Sequence, residues 1–387
     1  MRLIELKGKR HNLSVGDSSP ILVNCNVGGN TPSALDSEKE KIDILFNRPE
    51  TTPDTMMDLS IFDKYGVLSN YVSVNYGVPV GVVPVYAFTE DELNESSLLD
   101  QIEKYAEMGV AFMTMHITAD TDIYDIAIKE REIPVTSRGG SIVLKEAYKR
   151  HGANIFRVCL NRIIALSKKY KFAISLGATF RPAGLVDACD KVHIMETLRQ
   201  VELSNYLQRE GVQVIVENVG HIDIDKIQKH APLLRRCNAP IMPLGPSVID
   251  TAIGYDHISA SIGASFMAYH NVAHIINAIS PSEHLTAFFS VEDAQEAVAS
   301  AKIAARSVNV IRCKSIMDEE IIAYKARAKS CSCIIAPYGD ICKRCSKLCP
   351  LRKKIYDKWA HLQSSVFKLS KDLIDSIHEE GIVAYTS

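Results

Sequence analysis

The sequence has no apolar run of about 18 residues, the length a membrane-spanning helix needs, so no span is predicted. It also lacks a charge excess. The net charge is -2, and nothing global recruits nucleic acid or an acidic membrane surface. The first residues, MRLIELKGKRHNLSVGD, hold no apolar core of a secretory signal, so a cytoplasmic, reducing location is expected. Cysteines in that setting are more often ligands or nucleophiles than disulfides. Short-period repeats and low-complexity linkers are missing too. What is present is 387 residues, 47% of them hydrophobic. That is enough for a sizeable core, and it suits one large barrel plus an appendage.

Short apolar, β-branched runs recur at 21–26, 55–59, 80–86 (VGVVPVY), 111–116, 173–177, 212–217, 241–245 and 273–280. They are hydrophobic on both faces, as buried parallel strands are. Amphipathic stretches lie between most of them, such as SLLDQIEKYAEMG at 97–109, with Gly109 as its expected stop, and 153–170. The fold class expected is α/β, a (β/α)8 barrel of the TIM type with a C-terminal helical appendage. The boundaries read as an N-terminal extension over 1–19, the barrel over 20–290 and a helical appendage over 291–330. A cysteine-rich arm over 331–350 and a last helix over 351–387 follow.

In such a barrel the chemistry sits where strands end. Those ends carry Asn26, Asp58, Tyr86, His116, Glu217 and His284, with Arg181 just beyond the fifth strand. Each alone could be a cap or a satisfied core group; their shared position is what informs. In TSRGGSIVLKEAY, Ser137 and Arg138 precede two glycines at a helix start, a weak but suitable phosphate site. His221, His257 and His284 are candidate metal ligands that sequence alone does not pair. The stretch CSCIIAPYGDICKRCSKLCP, 331–350, holds five of the ten cysteines. Disulfides, structural zinc and an iron–sulfur cluster compete for it. The other five read as small core hydrophobes.

The order of these segments resembles the phosphomethylpyrimidine synthase family, a thiamine-pathway branch of the radical SAM enzymes. The matching wording is NVG, TMMDLS, PVGVVPVY, SRGGSI, GYDHISASIGA and PSEHL, spread over roughly 20–310. The related 5-hydroxybenzimidazole synthases share these motifs. The resemblance implies a barrel homodimer whose substrate pocket is lined by Asn26, Met57, Tyr86 and His116. Ser137, Arg138 and Gly139 would hold the substrate phosphate, and Arg181 and Glu217 also match substrate positions. His221 and His284 match two histidines that bind a divalent metal, usually zinc, which returns His257 to a structural role. The chain departs from the family at Ala178, where an aspartate is usual, and at Met242, where a tyrosine is usual. It also reads Glu217-Asn218-Val219-Gly220-His221 where the family has Glu-Gly-Pro-Gly-His.

The family ends in Cys-x2-Cys-x4-Cys, whereas Cys342, Cys345 and Cys349 are spaced x2 and x3, with Lys343, Arg344 and Lys347 between them. Three thiolates suit a [4Fe–4S] cluster that leaves one iron open to S-adenosylmethionine. Cys331 and Cys333 are extra. One of them could close that iron, or the five could bind zinc. The function implied is a radical SAM carbon–carbon lyase that converts 5-aminoimidazole ribotide, or a related phosphorylated ribonucleotide, to hydroxymethylpyrimidine phosphate. It would draw electrons from a donor such as flavodoxin or ferredoxin. The rival readings are a paralogue with a changed substrate, resembling 5-hydroxybenzimidazole synthase, and a non-catalytic iron–sulfur or zinc protein on the same barrel. The catalytic residue is not assigned.

Overall fold

Strands that must bury both faces need neighbours on every side, and closing the sheet on itself supplies them. The computed structural model describes residues 2–89, 91–286, 289–335, 342–346 and 349–351. An antiparallel hairpin, β1 (Leu3–Leu6) and β2 (Leu13–Gly16), comes first. Eight parallel strands follow: β3 (Leu22–Val27), β4 (Thr55–Asp58), β5 (Val80–Val82), β6 (Phe112–Met115), β7 (Ala173–Leu176), β8 (Val214–Val219), β9 (Ile241–Leu244) and β10 (Ile275–Asn277). They pair in the order β10-β3-β4-β5-β6-β7-β8-β9. The seam between β9 and β10 is spanned by His274 N–H donating to Ile241 O at 2.8 Å. This is the expected TIM-type barrel.

The surrounding helices are α1 (Pro32–Leu45), α2 (Val67–Asn75), α3 (Glu95–Glu107), α4 (Thr121–Glu130), α5 (Arg138–Lys149), α6 (Ile155–Val158), α7 (Leu160–Tyr170), α8 (Lys191–Arg209), α9 (Ile224–Arg235), α10 (Asp256–Tyr269) and α11 (Val291–Arg312). Gly109 takes a positive φ of 84° just past α3, as a helix stop should. α11 follows the last barrel strand and is latched to the start of β3. Its buried Asn309 accepts Ile21 N–H at 2.8 Å and donates to Ile21 O at 3.1 Å. The hairpin joins the other end, where Asp17 pairs with Arg2 at 2.7 Å and contacts His274 at 3.2 Å.

Two local expectations are corrected. VGVVPVY is not strand throughout: β5 stops at Val82 and a 3₁₀ turn covers Pro84–Ala87. Pro84 has no N–H for a ladder and suits the first position of a helical turn. The single helix read over 153–170 is two, broken at Cys159, where Arg162 N–H turns back to Cys159 O.

A second compact unit begins at Met317. Its described part includes most of α12 (Lys314–Ser330), which buries no residue, and the cysteine segments. There Cys342 N–H donates to Ser332 Oγ at 3.0 Å, joining the segment of Cys331 and Cys333 to that of Cys342. The helix expected over 351–387 lies outside the described residues. No helix among the described residues is long and apolar enough to cross a membrane.

Candidate active site

Parallel strands end on one face, so residues at their C-terminal ends converge. At that face opens a cavity of about 600 Å³, within the range of small-molecule sites. Asn26, Met57, Tyr86, His116, Ser137, Arg138, Arg181, Glu217, His221 and His284 all line it. Asn26 and Met57 lie in register on β3 and β4. The 3₁₀ turn delivers Tyr86, and the Arg138 guanidinium lies 5.2 Å from its ring centre.

Gly139 does not line the cavity; it lies behind His116. A Cβ on Gly139 would stand 2.3 Å from His116 Cε1, and one on Gly177 would stand 2.9 Å from Cδ2 on the same ring. The imidazole therefore fits only between glycines. Its Nε2 meets Ser137 Oγ at 2.7 Å, and that hydroxyl also accepts Gly140 N–H at 3.1 Å, capping α5. Burial, with Arg181 nearby, lowers the His116 pKa to about 3, so the ring is neutral.

Glu217 is buried on β8, and one of its oxygens accepts both the Thr114 hydroxyl and the Ser175 hydroxyl, the latter at 2.7 Å. Both bonds go to Oε1, which leaves Oε2 available to a ligand. Burial raises the Glu217 pKa, opposed by those two hydroxyls and by Arg181. Arg181 Nη1 donates to Ala178 O at 2.9 Å. Ala178 and Met242 are both fully buried and do not line the cavity.

The two histidines at the rim face each other, with ring centres 5.3 Å apart. His221 Nδ1 donates to Asp250 Oδ1 at 2.8 Å, and His284 Nδ1 donates to Asp256 Oδ1 at 2.7 Å. A carboxylate can only accept, so each Nδ1 carries a proton, and Nε2 is the nitrogen left to offer a lone pair in the neutral ring. Imidazoles held this way by carboxylates are a common support for a metal. His257 lies on α10 outside the cavity lining, and Asp58, buried at the end of β4, accepts from Ser60 and Ser69.

Sequence reasoning missed Asp250, Asp256, Thr114, Ser175 and Glu283. The last lines the cavity beside His284, and burial raises its pKa. Among the described residues all ten cysteines are free thiols, and Cys342, Cys345 and Cys349 are not drawn together into a metal-sized group.

The radical SAM ThiC family profile matches residues 3–332. Phosphomethylpyrimidine synthase of Carboxydothermus hydrogenoformans is 35% identical over 315 residues, 78% of this chain and 72% of that protein. The enzymes of that name from Thermotoga petrophila and Ignicoccus hospitalis are each 31% identical. They cover 80% and 90% of this chain, and 76% and 85% of their own lengths. With the match running through nearly the whole barrel and into the start of the second unit, the chain belongs to the radical SAM ThiC family.

Proposed function

We propose that the chain is a radical SAM lyase that converts 5-aminoimidazole ribotide to hydroxymethylpyrimidine phosphate in thiamine biosynthesis. The observation that carries this reading is one cavity holding both a helix-start anion cradle and two carboxylate-held imidazoles. Ser137 and Arg138, at the start of α5, would hold the substrate phosphate, where the helix dipole and a guanidinium favour negative charge. Asn26 and Glu217 would hydrogen-bond the heterocycle and ribose, and Met57 and Tyr86 would pack on it. His116 is neutral across the physiological range and positions Ser137 at the helix start without adding charge.

The donor set at the rim fits a divalent ion of the zinc class: the Nε2 atoms of His221 and His284 would be its ligands, with positions left open. Cys342, Cys345 and Cys349 would hold a [4Fe–4S] cluster; three thiols within eight residues are a suitable donor set. With S-adenosylmethionine bound, such a cluster would supply a 5′-deoxyadenosyl radical. The barrel residues orient the ribotide and keep water from it. An external donor such as flavodoxin or ferredoxin would provide the electron, and a homodimer is the expected assembly.

The test is anaerobic. Reconstituted, reduced protein is incubated with S-adenosylmethionine and aminoimidazole ribotide, and products are identified by mass. Hydroxymethylpyrimidine phosphate with 5′-deoxyadenosine is the expected outcome. 5-Hydroxybenzimidazole in its place would make the chain a product-changed paralogue, and the absence of 5′-deoxyadenosine would overturn the lyase reading.

A further inference from the structure

Asn218, one of the departures from the family wording, points away from the cavity. Its neighbour Glu217 lines the cavity, so alternation along β8 turns Asn218 outward toward α8 and α9. The amide there has a fixed orientation. Gln200 Nε2 donates to Glu217 O, so Gln200 Oε1 is an acceptor, and Asn218 Nδ2 donates to it at 2.6 Å. Asn218 Oδ1 in turn accepts Val219 N–H at 2.7 Å. That same oxygen faces His193 Nε2 at 3.2 Å and His230 Nε2 at 3.3 Å. Both imidazoles must therefore be protonated on Nε2.

Both rings are buried, and burial keeps them neutral: His193 is lowered to about 4 and His230 well below the ordinary value. Each Nδ1 is then a bare lone pair. His193 Nδ1 accepts Cys189 N–H at 3.1 Å. His230, only 2% exposed, leaves its Nδ1 buried with no partner. That nitrogen can take a ligand without giving up a hydrogen bond. The half-buried Cys189 thiol, His193 and His230 offer ligand atoms that all lie within 4.8 Å of one another.

We propose that Cys189, His193 and His230 form a second metal site, for a zinc-class divalent ion, on the outer side of β8. Tetrahedral zinc, with bonds of about 2.0–2.3 Å, places its ligand atoms about 3.3–3.7 Å apart. The three groups must therefore draw in by about an ångström. His193 exchanges its bond from the Cys189 amide for the ion, and the thiol releases a proton as the metal–thiolate bond forms. Partly exposed Cys189 gives the ion its way in and solvent the fourth position. This site is independent of whatever the barrel cavity does.

The test reads Cys189 alone among ten cysteines. The full chain, stripped of metal, is pulsed with iodoacetamide with and without Zn²⁺, and alkylation of the Cys189 peptide is measured by mass spectrometry. Bound thiolate is shielded, so zinc is expected to slow Cys189 alkylation about tenfold or more. His230→Ala should abolish that protection, and His221→Ala should keep it. An unchanged Cys189 rate in the wild type overturns the proposal even if no variant folds. So does protection that survives His230→Ala or vanishes in His221→Ala.

Discussion

Gly139 shows how little room some of these residues have. It follows Arg138 at the start of α5, and the His116 ring occupies the space a side chain would need. The ring is itself buried and fixed by Ser137, so it cannot swing into solvent. Gly139→Ala should therefore displace the imidazole and break its bond to Ser137. The overpacking should cost about 1–3 kcal/mol. Urea unfolding measures that loss, and a variant as stable as the wild type would show that His116 has another place to go. Asp256 acts through a different residue. Its carboxylate holds the His284 proton on Nδ1 and also meets the His284 amide at 3.4 Å. Asp256→Asn keeps the shape but removes the charge that raises the basicity of Nε2. Zinc affinity at the rim should fall about ten- to a hundredfold. Competition against a chelator measures it, with the Cys189→Ser background used so that only the rim site is read. An unchanged affinity would remove Asp256 from the metal's support.

The loop after β7 is held from below by one carboxylate on α8. Glu196 is fully buried, and it accepts Thr179 N–H at 2.6 Å, Phe180 N–H at 2.7 Å and the Thr118 hydroxyl at 2.8 Å. These bonds fix the segment that ends in Arg181. Burial outweighs them and lifts the Glu196 pKa from the ordinary 4.5 to about 7. A carboxyl raised on folding binds its proton more tightly in the folded state. Its contribution to stability is full below pH 4.5 and is lost as pH rises through about 7. The loss amounts to about 3 kcal/mol across that window. Wild type should therefore lose stability relative to Glu196→Gln as pH rises from 4.5 to 8, read by urea unfolding at each pH. Parallel curves for the two proteins would refute it.

Elements of this kind differ in how legible they are from sequence. All eight barrel strands were visible, because burial on both faces leaves a continuous apolar run that needs no knowledge of its partners. The end of β5 was not, since Val83 to Tyr86 stays apolar while the missing N–H of Pro84 ends the ladder. The polar strand ends were visible one by one, and the ordered motifs gathered them. The residues that orient them were not. Asp250 lies 29 residues beyond His221 with no local signal. Asp256 stands next to His257, and an imidazole is the more obvious ligand type in a sequence. Asn218 stood out as a departure, but only the fold shows that it faces two histidines from two different helices.

At the scale of the whole chain, the proposed chemistry is divided between two compact units, the barrel with its cavity and the unit beginning at Met317 that carries the arm thiols. Units with their own contacts fold and fail separately, so their functions should separate under mutation. Replacing Cys342, Cys345 and Cys349 by alanine removes every thiolate of the expected cluster and touches no buried barrel residue. That variant should lose iron and labile sulfide and make no 5′-deoxyadenosine, yet unfold at the same urea midpoint and keep zinc at His221 and His284. Cys331→Ala with Cys333→Ala should retain iron, sulfide and S-adenosylmethionine cleavage, because a cluster that must leave one iron open for that ligand needs three thiolates and is inhibited by a fourth. Loss of cleavage in that double variant would make Cys331 or Cys333 part of the catalytic arm. Iron and sulfide retained by the triple alanine variant would move the cluster off the arm and sink the three-cysteine assignment.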